Sequence, residues 1–239
     1  MSGHHWHRSA GLLGAICRLV PECNTIAQFH KGLCGHSMNS ALYEGYLARL
    51  SEGRRKDAGL MLDAFLRSFN SSEEREQWTR TFLKTHTYGA KVRHEVYAEL
   101  IFPILFAGSK RNDAWSLYWL AGTCQNLYSA HKLYEIINFK GKTDLLKEAY
   151  AIDCNSTEVR QELLKSLLDD FAYASHEWPA GILWSVNGAT LNQCTEIMSE
   201  VALARELDRD CAHALSIDDF ESKVKHYKER LMSLPGNRH

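Results

Sequence analysis

The chain has 239 residues, of which 45% are hydrophobic and 24% are charged, and its formal net charge is −1. This composition excludes an intrinsically disordered chain, and the near-zero charge disfavours partners drawn by the field of the whole molecule, such as nucleic acid. The chain contains 4 prolines and 15 glycines, which leaves long stretches free for helices.

The N-terminal region holds the clearest candidate ligands for a metal. Residues 1–7 are rich in histidine and are predicted to be a flexible terminus. A cluster of thiols and imidazoles follows, formed by Cys17, Cys23, His30, Cys34 and His36. Zinc takes four such ligands, commonly from closely spaced cysteine pairs, and this spacing departs from that pattern. The sequence therefore favours buried structural thiols over a metal site, and no cofactor is predicted.

The cysteines and the apolar runs indicate a cellular location. Seven cysteines lie far apart along the chain, which is typical of reduced thiols in a cytosolic protein. No signal-peptide pattern follows Arg8, and the longest apolar run, 100–107, is far too short to cross a bilayer. We therefore predict a cytoplasmic protein without membrane insertion.

Apolar residues recur every three or four positions along most of the chain, which predicts amphipathic helices. The predicted helices cover residues 37–51, 54–69, 72–88, 91–106, 115–122, 128–138, 144–152, 157–173, 190–208 and 220–232. No alternating β-branched run is present, so strand content should be near zero. The predicted fold is all-α, with antiparallel helix hairpins stacked as an irregular α-solenoid or as a bundle of about 10–12 helices.

Several residues mark the predicted helix ends. Ser71 and Glu74 have the spacing of a capping box. Asp113, Thr143 and Ser216 are expected to cap the helices that follow them. Pro103 should kink its helix or begin a new one, because proline has no N–H to donate.

The pattern predicts one helical domain over residues 8–232, with a subdivision near the polar linker 108–113 as an alternative. Residues 233–239 contain proline, glycine and asparagine and are predicted to be a flexible tail.

One junction resembles a known repeat family. Residues 149–159 read Ala-Tyr-Ala-Ile-Asp-Cys-Asn-Ser-Thr-Glu-Val, similar to the junction between two tetratricopeptide repeats, with Cys154 where that family has proline. Residues 115–122 also carry the bulky and small residues of such a first helix. The resemblance is confined to residues 115–168, and it implies a helical hairpin that presents a surface to another protein.

The charge pattern suggests a second kind of binding site. Between residues 80 and 94 no acidic residue occurs, and four cations are interleaved with aromatic residues: Arg80, Lys84, Lys91 and Arg93. Trp115 and Trp119 are expected mainly as core residues, and they would be binding anchors if they were exposed in a groove. The last third of the chain carries acidic residues that could face these cations, within one molecule or between copies: Asp169, Asp170, Asp218, Asp219 and Glu221.

These patterns rank three functions. The first is an adaptor that binds another protein through its stacked hairpins, with homo-oligomerisation left open. The alternative is an enzyme with a Cys/His site, with or without metal, in a helical cleft, although no catalytic motif is present. The second alternative is a phosphate or nucleic-acid binder that uses the basic stretch 80–94.

Overall fold

The computed structural model describes residues 38–233. Contacts along the chain separate two compact units, Met1–Asn70 and Ser71–His239, which are described separately below. The predicted flexible segment 1–7 and residues 234–239 lie outside the described part of the chain. Residues 108–113, where a subdivision was the alternative, lie inside the second unit.

The described part of the first unit is a pair of helices, α1 (Met38–Ser51) and α2 (Arg55–Arg67), which pack on each other. The ring of Tyr43 on α1 lies 5.4 Å from that of Phe65 on α2. The two helices approach closely at Gly45, where a methyl group would collide with the side chain of Met61.

The second unit is built from helices, which confirms the predicted all-α class for the described residues. Its helices are α3 (Ser72–Thr85), α4 (His94–Val96), α5 (Phe102–Lys110), α6 (Ala114–Gly122), α7 (Cys124–Tyr128), α8 (His131–Ile136), α9 (Lys142–Ile152), α10 (Thr157–Ala174), α11 (Leu191–Leu207) and α12 (Ala214–Ser233). The helix predicted over 128–138 is wrong in its bounds, because the chain forms two short helices there.

Helices that follow one another mostly pack together in the second unit. α5 packs on α6, α6 on α9, α9 on α10, α10 on α11, and α11 on α12, while α7 and α8 pack on each other. The core lies along these contacts. Its fully buried side chains include Leu105, Leu120, Leu145, Leu146, Leu163 and Leu167.

A short antiparallel hairpin is the one strand pair among the described residues. β1 (Leu183–Trp184) pairs with β2 (Asn187–Gly188), with Trp184 opposite Asn187. Ser185 in the turn between them has a positive φ of 57°. Two residues per strand are too few to show alternation, so the pattern of hydrophobic residues could not reveal this hairpin.

Two of the predicted caps are confirmed. The backbone N–H of Glu74 donates to Ser71 Oγ at 3.2 Å, and that of Trp115 donates to Asp113 Oδ1 at 3.2 Å. Each bond satisfies an N–H that the first turn of a helix leaves without a partner.

Two other predicted caps are wrong. Thr143 lies inside α9, which Gly141 precedes, and the N–H of Gly141 donates to Asp144 Oδ2 at 3.0 Å. Ser216 lies inside α12, which begins at Ala214. Thr143 and Ser216 both have a hydroxyl that could cap a helix, but each helix begins before that residue.

Pro103 lies at the start of α5, directly after a π-helical turn, Tyr97–Ile101. The N–H of Phe102 donates to the carbonyl of Tyr97, five residues earlier. A new helix therefore begins near Pro103, as expected. The wider π turn changes to an α-helix just before the proline, which has no N–H to donate.

Gly122 allows the loop before α4 to dock on α6. A methyl group at Gly122 would lie 2.6 Å from the ring of Tyr88, and the N–H of Gly89 donates to the carbonyl of Gly122 at 2.9 Å. The ring centroid of Tyr88 is 4.5 Å from that of Tyr118, so it has little room to move. We expect Gly122→Ala to lower the free energy of unfolding by about 1–3 kcal/mol through overpacking, as measured by urea denaturation.

Two further variants test the cause. In a Tyr88→Leu background the ring is absent, so Gly122→Ala should cost much less than in the wild type. A methyl group at Gly59 in α2 would meet no neighbouring atom within 4 Å, and Gly59→Ala should raise stability by up to about 1 kcal/mol. An equal cost of Gly122→Ala in both backgrounds would contradict the proposed collision.

Candidate functional site

The candidate metal ligands Cys17, Cys23, His30, Cys34 and His36 lie outside the described residues. Within residues 38–233, no group of three or more histidine, cysteine or carboxylate side chains is placed to hold a metal ion.

Arg80, from the predicted basic stretch, is held by neighbouring side chains. It donates to Asp113 Oδ2 at 2.7 Å and to Glu76 Oε1 at 3.0 Å, and its guanidinium lies 4.1 Å from the centroid of Trp115. Two carboxylates and an aromatic face already compensate this charge. Arg80 and Trp115 are therefore brought together, in a contact that links α3 to the start of α6.

The other predicted binding residues do not form one cluster with shared contacts. Lys91 donates to Ser129 Oγ at 2.9 Å. Lys84 and Arg93 are exposed and form no ion pair within the described part of the chain. Trp119 is only 7% exposed and belongs to the core, so it is not an exposed anchor.

The acidic residues near the C-terminus pair with their own neighbours. Arg205 on α11 donates to Asp218 and Glu221 on α12, each at 2.7 Å. Asp219 pairs with Lys223 one turn later. These carboxylates therefore compensate charges on α11 and α12.

A cavity of about 600 Å³ lies among the helices of the second unit. It is called here the hairpin groove, because β1 forms one of its walls. Its remaining lining comes from α7, from the start of α9, from the second half of α10, and from α11 and α12. The lining includes Cys124, Tyr128, Lys142, Thr143, Asp144, Lys147, Ser166, Asp169, Asp170, Phe171, Tyr173, Leu183, Trp184, Ile197, Glu200 and Phe220.

One side of the hairpin groove is apolar and aromatic. Phe171 on α10 stacks on Phe220 of α12, with ring centroids 4.4 Å apart and planes inclined by 15°. Trp184 is half-buried in the hairpin, and Tyr173 is 54% exposed at the rim. Burying such aromatic surface against a ligand is a strong source of binding free energy.

Another part of the lining carries a chain of hydroxyl and carboxylate groups. Thr143 Oγ1 lies 2.8 Å from Ser166 Oγ and donates to Asp170 Oδ2 at 2.7 Å. These three side chains come from α9 and α10, two helices that pack on each other. The hydrogen bonds fix the position of the Asp170 carboxylate at the edge of the groove.

The lysines of the hairpin groove are already paired. Lys147 on α9 forms an ion pair with Glu200 on α11, and Lys142 pairs with Glu162 of α10 at 3.4 Å. Asp144 accepts the capping bond from Gly141. Neither Asp169 nor Asp170 has a cationic partner in an ion pair among the described residues.

The pKa of the Asp170 carboxyl is raised above its ordinary value. Burial is the main cause, and the negative charges of Glu200 and Asp169 add to it, while the hydrogen bond from Thr143 and the charge of Lys147 oppose it. The Asp170 side chain is nevertheless exposed to solvent. Asp169, Asp170 and Glu200 are thus close enough for their negative charges to act on one another, with the charge of Lys147 opposing them.

Cys124 and Tyr128 form the end of the hairpin groove nearest α7. Burial raises the pKa of the Cys124 thiol, although a hydrogen bond with Tyr128 and the charge of Lys142 oppose this. Burial also raises the pKa of Tyr128 to about 12. Both groups are therefore neutral near pH 7, and a neutral thiol is a poor nucleophile.

The arrangement of the hairpin groove was not predicted from the sequence. Its lining is drawn from residues 124 to 220, which no local pattern brings together. The sequence shows Asp169 and Asp170 as an acidic pair, but it contains no signal that links Thr143 and Ser166 to them. Only the contact between α9 and α10 shows that these groups share one site.

No protein-family model, curated protein or solved structure matches the chain. No helix among residues 38–233 has both the length and the hydropathy needed to cross a bilayer. The geometry of the hairpin groove is therefore the principal guide to function.

Proposed function

We propose that the protein binds another protein, and that it does so by taking a segment of that partner into the hairpin groove. The observation that carries this proposal is the groove itself: a cavity of about 600 Å³ with an aromatic wall and exposed aromatic side chains at its rim. Its size is that of a site for several side chains or a small ligand.

Exposed aromatic surface next to the hairpin groove favours a polypeptide ligand. Tyr128 lines the groove and is 47% exposed, and its ring is 5.3 Å from that of Tyr134. Tyr134 in turn contacts Phe139, which is 49% exposed. An apolar surface that continues out of a cavity suits a chain that leaves the cavity and crosses the surface.

The resemblance of residues 115–168 to a tetratricopeptide junction supports the same proposal, because such hairpins present surfaces to peptides. The groove lies on α9 and α10, the two helices on either side of that junction. The catalytic alternative stays a prediction, because its proposed Cys/His residues lie outside the described part of the chain.

The test is a selection of random dodecapeptides on the full-length protein, followed by affinity measurements on the synthesised peptides by fluorescence anisotropy. Trp184→Ala and Tyr173→Ala each remove an aromatic contact from the groove. We expect micromolar dissociation constants for the wild type and at least tenfold weaker binding for each variant.

Leu215→Ala is the matched control, because Leu215 is 87% exposed and lies outside the lining of the hairpin groove. Its dissociation constants should stay within twofold of the wild type. The proposal is wrong if no peptide is retained, or if retained peptides bind both aromatic variants as well as the wild type.

A further inference from the structure

We propose that the hairpin groove recognises a cationic side chain, arginine or lysine, that neighbours an apolar residue in the partner segment. This inference rests on the proposed function and adds the chemistry of the ligand to it. The occupant is thus a basic segment of another protein, with its charge against Asp169 and Asp170 and its apolar residue against the aromatic wall.

Charge complementarity is the first argument. The groove is lined by four carboxylates, Asp144, Asp169, Asp170 and Glu200, and by two lysines. Both lysines are engaged, as described above, in pairs with Glu200 and Glu162. The carboxylates of Asp169 and Asp170 remain for a cation supplied from outside, and such a cation would remove their mutual repulsion.

The position of the Asp170 carboxylate is the second argument. Thr143 holds Oδ2 of Asp170 by a hydrogen bond of 2.7 Å, and Ser166 holds Thr143 in turn. The carboxylate is therefore oriented before any ligand arrives, which reduces the entropy lost on binding.

The distribution of polar and apolar lining is the third argument. Phe171 and Asp170 are adjacent on α10, and Phe171 stacks on Phe220 at 4.4 Å. An arginine or lysine has a long apolar stem and a charged end, so one side chain can contact both surfaces. A neighbouring apolar residue of the partner can then contact Trp184 and Leu183 in the hairpin.

The experiment compares peptides and variants in pairs. Peptides recovered on the wild type should carry arginine or lysine next to an apolar residue. Replacing that arginine by citrulline, or that lysine by norleucine, should weaken binding at least tenfold. On the protein, Asp169→Asn and Asp170→Asn should each weaken the binding of the unmodified peptide at least tenfold. The double variant should bind the unmodified and the substituted peptide with about equal dissociation constants.

Asp210→Asn is the matched control, since Asp210 is exposed and lies outside the lining of the groove; it should leave the dissociation constant within twofold. The inference is overturned if the recovered peptides lack a basic residue, and if their binding is weakened by Trp184→Ala and Tyr173→Ala but unchanged by Asp169→Asn and Asp170→Asn. That result would leave the proposed function standing. Loss of all groove-dependent peptides would instead overturn both.

Discussion

Replacing Asn126 by leucine should lower the free energy of unfolding by about 2–5 kcal/mol. Asn126 is fully buried. Its Oδ1 accepts from the N–H of Val92 at 3.0 Å, and its Nδ2 donates to the carbonyl of Val92 at 2.8 Å. Leucine would leave both backbone groups buried without a partner, and each such group costs about 1–3 kcal/mol.

Urea denaturation followed by circular dichroism measures this change. Asn192→Leu is the matched control, because Asn192 is exposed on α11, and it should change stability by no more than about 0.5 kcal/mol. Asn126→Asp keeps an acceptor for the N–H of Val92 but removes the donor to its carbonyl, so it should also be strongly destabilising. If Asn126→Leu were no more costly than the control, the segment before α4 would not depend on this asparagine.

Replacing Asp113 by alanine should lower the free energy of unfolding by about 2–3 kcal/mol. Its carboxylate accepts from Arg80 at 2.7 Å, from Ser116 Oγ at 2.7 Å and from the N–H of Trp115 at 3.2 Å. The loss of a helix cap costs about 1 kcal/mol, and the buried hydroxyl of Ser116 would lose its acceptor. The ion pair with Arg80 is partly exposed, so its own contribution is small.

The contribution of Asp113 should also depend on pH. Burial alone would raise the pKa of Asp113, but hydrogen bonds from Ser116 and Arg80, and the charge of Arg80, outweigh it and lower the pKa. A pKa that is lower in the folded state than in the unfolded state stabilises the fold above about pH 4, and this stability is lost as the pH falls through the folded pKa. The difference between wild type and Asp113→Ala should therefore shrink on acidification.

Asp219→Ala is the control for Asp113, since Asp219 makes only an exposed pair with Lys223 one turn along α12. Its effect near pH 7 should stay within about 0.5 kcal/mol. A difference between wild type and Asp113→Ala that grows as the pH falls would contradict the assigned direction of the pKa shift.

Local signals explain which features the sequence could predict. A cap needs a polar side chain and an N–H two or three residues later, so Ser71 and Asp113 could be identified from neighbouring residues alone. The long helices α10 and α11 were likewise predicted to within one residue at each end, because their apolar residues recur over many turns. Both kinds of signal lie within a few residues of the structure that they specify.

The features that escaped prediction depend on residues distant in the chain. Tyr88 packs on Gly122, so the small residue of α6 allows the close approach of a loop and not of a neighbouring helix. Asn126 bonds to the backbone of Val92, although nothing in its own surroundings indicates a partner 34 residues earlier. The hairpin groove has the same origin, since its charged and aromatic sides meet only when α9 to α12 are packed.

The spread of the groove lining along the chain limits how the protein can be shortened. Cys124 and Phe220 lie at opposite ends of that lining in sequence, and Phe220 supplies half of the aromatic stack with Phe171. A truncated polypeptide that stops before α12 would lose Phe220 from the lining, and one that starts after α7 would lose Cys124 and Tyr128. The proposed binding would therefore require the whole stretch from α7 to α12, and a single helical hairpin excised from that stretch would not reproduce it.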